Sequence, residues 1–354
     1  MAETLALLTA ERHTNNFDFL RLLAALMVVC GHASDILLAK PLEWDVARML
    51  TGISLPKTGV MIFFVISGYL VTASWLKSES LFRYMASRIL RIFPAVIVLV
   101  FFSVFMLGPV VTTVSWEDYY TSDVTFRYLQ NMSLFRMHYQ LPGVFETNPY
   151  PAAVNGSLWT LPYEFTCYLF IAVLGLSFLL KQKWAVLIIF LCCFFSFIFF
   201  REENDAVVIP VLGIDFKNFT VLFLYFMSGS LYYLFRKEMP FSFYGLMFAL
   251  FFCLLMRNGL VRQEVYIIIL PYIILWFAFS KKIPLQQTGR YGDFSYGIFL
   301  YSFPVQQTLV CFFPETFNLP AFILCSLLCT LPLAVMSWHW VEKPALDLRK
   351  KLFH

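Results

Sequence analysis

The sequence predicts an all-α, polytopic membrane protein with about ten transmembrane helices and both termini on the cytoplasmic side. Three observations carry that expectation. The 354-residue chain is 60% hydrophobic and 14% charged, with a mean hydropathy of +0.73, whereas soluble domains run at about 45–50% apolar and about 25% charged. Its apolar residues gather into runs near the roughly 20 residues that a helix needs to cross a hydrocarbon core. Its basic residues divide unevenly between the two sides that those runs define.

The expected spans run from Phe17 to Leu38, Thr58 to Leu76, Ile92 to Val114, Leu158 to Leu180 and Trp184 to Phe200, then from Asn218 to Phe235, Phe241 to Met256, Val265 to Phe279, Ser295 to Phe313 and Leu319 to Val341. The seventh and eighth are short. A small apolar run between Ala206 and Phe216 could also dip into the membrane. With the N-terminus inside, the inner segments hold nearly twice as many Lys and Arg as the outer ones, among them Lys77, Arg83, Lys281, Lys282, Lys350 and Lys351. The positive-inside rule then sets both termini inside. The longest outer segment, about 115–155, carries Trp116, Tyr119, Tyr120, Tyr128, Phe135, Tyr139 and Tyr150; stacking on sugars would suit them, but the interfacial aromatic belt is the expected role for most.

The length fits a single transmembrane domain over 1–354. The first sixteen residues include Glu3, Glu11, Arg12 and His13, and no short apolar segment there ends in a cleavage site, so no secretory signal is expected. The eight cysteines lie in apolar runs without metal-ligand spacing. Neither a metal nor nucleic-acid binding is expected. The two halves show no alignable repeat of the kind common in secondary transporters.

Charges within a span are costly and mark function. The first span carries Asp18, Arg21, His32 and Asp35. Arg21 and His32 are eleven residues apart, so at about 100° and 1.5 Å per residue they point within roughly 20° of each other, about 16 Å apart along the axis. Asp18 and Asp35 extend the same stripe. His32 is the expected acid/base, because an imidazole ordinarily titrates near neutrality, and Asp35 one turn away is placed to hold a ring nitrogen. Glu164, just inside the fourth span, reaches a similar outer depth and is expected to share the His32 site, although a structural ion pair would also explain it. Arg88 and Arg91 sit one turn apart at the inner mouth of the third span, near the level of Arg21. Guanidinium forks suit phosphate oxygens, but a topology signal or anionic lipid accounts for them equally well.

Five stretches in order resemble the acyltransferase-3 family of membrane enzymes that acylate surface carbohydrates and related acceptors. They are Asn16 to Ala25 with the Arg21–His32 spacing, Phe63 to Leu70, Arg88 to Pro94, Asn155 to Thr160 with Glu164, and Ser295 to Tyr301 with Val341 to Pro344 further on. The resemblance implies a ten-helix core, His32 as catalytic base, and Arg21, Arg88 and Arg91 along the path of an acyl-coenzyme A donor. It implies transfer of an acyl group, acetyl being expected, from cytoplasmic acyl-CoA to a hydroxyl of an extracytoplasmic or lipid-linked carbohydrate in the inner membrane. Direct transfer is the expected route, with Glu164 and Asp35 beside His32. Ser302 stands where many members have His, which leaves that position without an inherited role. The expected partners are membrane lipid, donor and carbohydrate acceptor, with oligomerisation open. The competing reading is a transporter or flippase for a saccharide-type substrate.

Overall fold

The computed structural model describes residues 15–78, 80–199, 208–209, 214–239, 241–256, 258 and 262–352. Ten long helices stand among them: α1 (Phe17–Leu38), α2 (Leu55–Ser78), α3 (Leu81–Phe102), α4 (Leu161–Leu176), α5 (Lys183–Phe199), α6 (Phe216–Leu234), α7 (Phe243–Met256), α8 (Arg262–Phe279), α9 (Ser295–Phe312) and α10 (Leu319–Ser337). A π turn, Ser103–Leu107, carries α3 on to Val111, and another, Trp338–Glu342, carries α10 into a basic C-terminal helix, Lys343–Leu352. Among the described residues, five segments are long and apolar enough to cross a membrane: α1, α2, α3 with its extension to Val111, α4 with its preceding 3-10 turn, and α10 with the C-terminal helix. Helices α5, α7 and α8 supply shorter apolar segments. The chain is an all-helical, polytopic membrane protein, and ten crossings stay an expectation. The run from Ala206 to Phe216 lies largely outside the described residues; Val208–Ile209 pairs antiparallel with Ile214–Asp215.

Two helix boundaries differ from the sequence expectation in ways that matter. Helix α3 starts at Leu81 rather than Ile92, capped by the Ser80 side chain. Arg88 and Arg91 therefore belong to its second and third turns, because buried Tyr84 and Ser87 extend the helix inward past the first charges. The fourth span ends at Leu176 rather than Leu180, since Phe178 takes a left-handed conformation.

Close helix contact depends on missing side chains, as expected where lipid gives no hydrophobic drive for helices to associate. A Cβ on Gly68 of α2 would collide with the Phe226 carbonyl of α6, and one on Gly229 of α6 with the Val65 carbonyl of α2. Ser230 Oγ crosses the same seam to the Gly68 carbonyl at 3.2 Å.

Proline removes a helical N–H and orphans the carbonyl four residues earlier. Within apolar surroundings that carbonyl needs another donor. Pro304 of α9 orphans Leu300, which accepts from Asn155 Nδ2 at 2.8 Å. Pro271 of α8 orphans Ile267, which accepts from Ser228 Oγ at 3.1 Å. Asn16 likewise donates to the Phe277 and Ser280 carbonyls at the end of α8, fixing the start of α1. The outer loop is built rather than open. Its short helices Trp116–Thr121 and Asp123–Tyr128 bury Tyr119 and Tyr128, and the Tyr119 hydroxyl donates to the Val104 carbonyl at 2.9 Å. Those two tyrosines are core rather than belt.

Candidate active site

Helix α1 brings both ends of the site together because it is buried among α2, α9 and α10. Its small and branched residues Ala24, Ala25, Val28, Val29 and Ala33 fill the seam, leaving the polar stripe to line internal space. Toward its outer end His32 and Asp35 open onto a cavity of about 190 Å³. Ser54, Pro56, Lys57 and Val60 line one wall, Ser157, Trp159 and Thr160 another, and Phe299 a third. The wall that carries Trp159 is the 3-10 turn Gly156–Thr160. Asn155 holds it, accepting from Ser157 N at 3.0 Å while donating to Leu300.

His32 Nδ1 lies 3.9 Å from Asp35 Oδ2, and its ring meets Phe303 edge-on at 5.3 Å. At that separation the carboxylate is too far for a hydrogen bond. The orienting bond expected from Asp35 is therefore not formed in this geometry, whereas Phe303 fixes the ring from the side.

Glu164 is not among the residues lining that cavity. Its Oε1 accepts from Ser67 Oγ at 3.0 Å and from the Tyr168 hydroxyl one turn along α4. Ser67 is seven residues past the cavity residue Val60 on α2, about 10 Å deeper by helical rise. The expected sharing of one cavity by Glu164 and His32 is thus not found. The Glu164 carboxylate is instead taken up by side chains of α2 and α4, which spacing along the fourth span alone could not show.

The arginines divide into two arrangements. Arg91 Nη2 lies 2.7 Å from Asp293 Oδ2, and Nη1 lies 3.3 Å from Glu342 Oε2. Arg21 Nη1 lies 3.1 Å from Asp18 Oδ1 and 3.7 Å from the same Asp293 Oδ2. The shared level inferred for Arg21 and Arg91 is present, and Asp293 is the point at which they meet. Arg88 stands apart. Its guanidinium lies 5.6 Å from the Tyr168 ring centroid, and its buried Nε has no hydrogen-bond partner among the described residues. Tyr296 supports Arg91 in the same manner at 5.4 Å, while its hydroxyl donates to the Ile92 carbonyl at 3.0 Å.

Sequence reasoning missed Asp293 and Tyr168, and quoted Tyr296, Glu342 and Ser67 without finding their partners. A signal for the carboxylates existed. Three arginines converging in a low-dielectric interior require counter-charges, and Asp293 and Glu342 flank the inner ends of the last two spans. Nothing local in the sequence marks the two tyrosines among so many aromatics.

The arrangement places an imidazole in a cavity near one end of α1 and guanidiniums near the other, joined by one buried helix. That is suited to group transfer between an anionic donor at one end and an acceptor at the other. The chain is 30% identical to an O-acetyl transferase of Shigella phage Sf6 over 335 residues, covering 93% of this chain and 95% of the relative. It is 28% identical to Nodulation protein 10 of Rhizobium leguminosarum bv. viciae over 368 residues, covering 96% of this chain and 95% of the relative. No solved structure matches it. The sequence model of the acyltransferase-3 family, described as an acyltransferase domain, matches residues 14–339. The chain belongs to the acyltransferase-3 family, and it is a membrane O-acyltransferase.

Proposed function

We propose that this enzyme moves an acetyl group from acetyl-coenzyme A, bound from the cytoplasm, to a hydroxyl of a carbohydrate presented at the outer face of the bacterial inner membrane. The observation that carries the reading is the disposition of α1. It holds Arg21 in the inner ionic cluster and His32 in the outer cavity, about 16 Å apart by helical rise. The relative from phage Sf6 is named an O-acetyl transferase, which favours acetyl. Family membership sets aside a transporter or flippase.

In this reading the donor's phosphates approach Arg88, Arg91 and Arg21, and the pantetheine arm runs outward along α1. The acceptor enters the cavity beside Trp159, whose ring offers a face to a sugar. His32 takes the acceptor hydroxyl proton as the oxygen attacks the thioester carbonyl. The C–S bond then breaks, and the departing coenzyme A sulfur receives that proton. Asp35 stabilises the imidazolium formed between the two steps. Glu164 acts away from the acceptor, holding Tyr168 beneath Arg88.

Sidedness provides the test. In proteoliposomes of defined orientation, labelled acetyl-coenzyme A on the cytoplasmic side should label a carbohydrate acceptor on the other side. Donor supplied only on the acceptor's side should give none. Equal labelling from both sides would contradict the trans-membrane route.

A further inference from the structure

We infer that Asp293 is a positioning residue of the donor site, a buried carboxylate in the turn before α9 that sets where the Arg21 and Arg91 guanidiniums stand. The inference rests on the donor reading above.

The carboxylate is built in. Its side chain is 3% exposed. Oδ1 accepts from Ser295 Oγ at 2.5 Å, while Oδ2 takes Arg91 at 2.7 Å and Arg21 at 3.7 Å. Glu342 repeats the plan from the end of α10. Its Oε1 accepts from Ser337 Oγ at 3.0 Å and its Oε2 faces Arg91 at 3.3 Å. Each carboxylate thus spends one oxygen on a nearby serine and turns the other toward arginine. Four elements, α1, α3, the start of α9 and the end of α10, converge on Arg91 and Asp293.

Two guanidiniums cannot be held together in a low-dielectric interior without a compensating charge. Asp293 supplies it to both and fixes the plane of the Arg91 fork, which Tyr296 supports from one face. Arg88, whose buried Nε has no partner among the described residues, offers a donor to an incoming phosphate. Asp293 acts through its neighbours, by keeping the other two cations in register with Arg88. A carboxylate that merely occupied the phosphate position would have the opposite sign, since its removal would tighten donor binding.

The test measures the affinity of the full-length protein in proteoliposomes for coenzyme A, which needs no acceptor. Asp293→Asn should weaken binding per folded molecule on the order of ten- to hundredfold, the range seen when an orienting partner is lost from a metal site. Ser295→Ala, which removes only the brace on Oδ1, should weaken it a few-fold. Arg91→Lys combined with Asp293→Asn should cost less than the two single changes together, because both act on one interaction. A purely structural role would lower the melting temperature and leave the affinity of the folded fraction unchanged. Coenzyme A affinity in Asp293→Asn equal to or above wild type, or fully additive losses, would overturn the inference. If Asp293→Asn does not accumulate as folded protein, unchanged affinity in Ser295→Ala overturns it. Failure of the wild type to bind coenzyme A would instead remove the donor reading on which the inference stands.

Discussion

Asn155 Nδ2 donates to the Leu300 carbonyl at 2.8 Å, filling the gap that Pro304 leaves in the hydrogen-bond ladder of α9. The same side chain caps the 3-10 turn that walls the His32 cavity. Asn155→Ala would strand a buried carbonyl and free that turn. A loss of about 1–3 kcal/mol is expected from the unsatisfied acceptor, together with weaker acceptor use. Thermal unfolding of the purified protein checks this. A wild-type melting temperature would show that Leu300 finds another donor.

The α2–α6 seam should tolerate no added carbon. Gly68→Ala places a methyl against backbone of the facing helix rather than against a side chain that could rotate away. Overpacking of this kind costs about 1–3 kcal/mol or more. The expected result is a lowered melting temperature in both Gly68→Ala and Gly229→Ala. The surviving fraction should keep wild-type turnover, since neither residue lines the cavity.

Glu164→Gln should act on the donor. The amide keeps the shape but weakens the hold on Ser67 and Tyr168, so Tyr168 is less well fixed beneath Arg88. Bonds to a charged acceptor are worth about 1.5–3 kcal/mol, which corresponds to a rise in the KM for acetyl-coenzyme A of roughly ten- to hundredfold. Tyr168→Phe should shift the same constant in the same direction. A loss confined to kcat with donor KM unchanged would return Glu164 to the chemistry at His32.

Much of this was legible in the sequence, and the omissions have physical causes. Periodicity and charge cost identified the stripe on α1, because a lipid-facing helix cannot carry Asp18, Arg21, His32 and Asp35 together. Spacing placed Arg21 near the level of Arg91. Spacing could not separate Arg88 from Arg91, since which neighbouring helix supplies a carboxylate is a tertiary fact. The partners of Glu164 were hidden for the same reason, since Ser67 comes from another helix. Asp293 was passed over because it lies outside the apolar run, where a charge ordinarily meets water. Here it is buried.

Trp159 should govern the acceptor alone. It lines the His32 cavity, and its ring packs edge-on against Tyr163. Trp159→Ala should raise the acceptor KM by about tenfold or more, as base–aromatic stacking of roughly 1–3 kcal/mol suggests for a ring platform. Coenzyme A affinity should not move. A parallel loss of donor affinity would mean that the two ends of the site are not independent.

Everything at the acceptor end turns on His32 as the base. The most direct measurement is turnover per folded molecule of purified His32→Ala, in proteoliposomes with acetyl-coenzyme A and acceptor, alongside its affinity for coenzyme A. The account predicts a fall in turnover of about 10²–10⁴-fold, the usual contribution of a general base, with coenzyme A affinity and melting temperature close to wild type. Turnover within a few-fold of wild type in well-folded His32→Ala protein would contradict it.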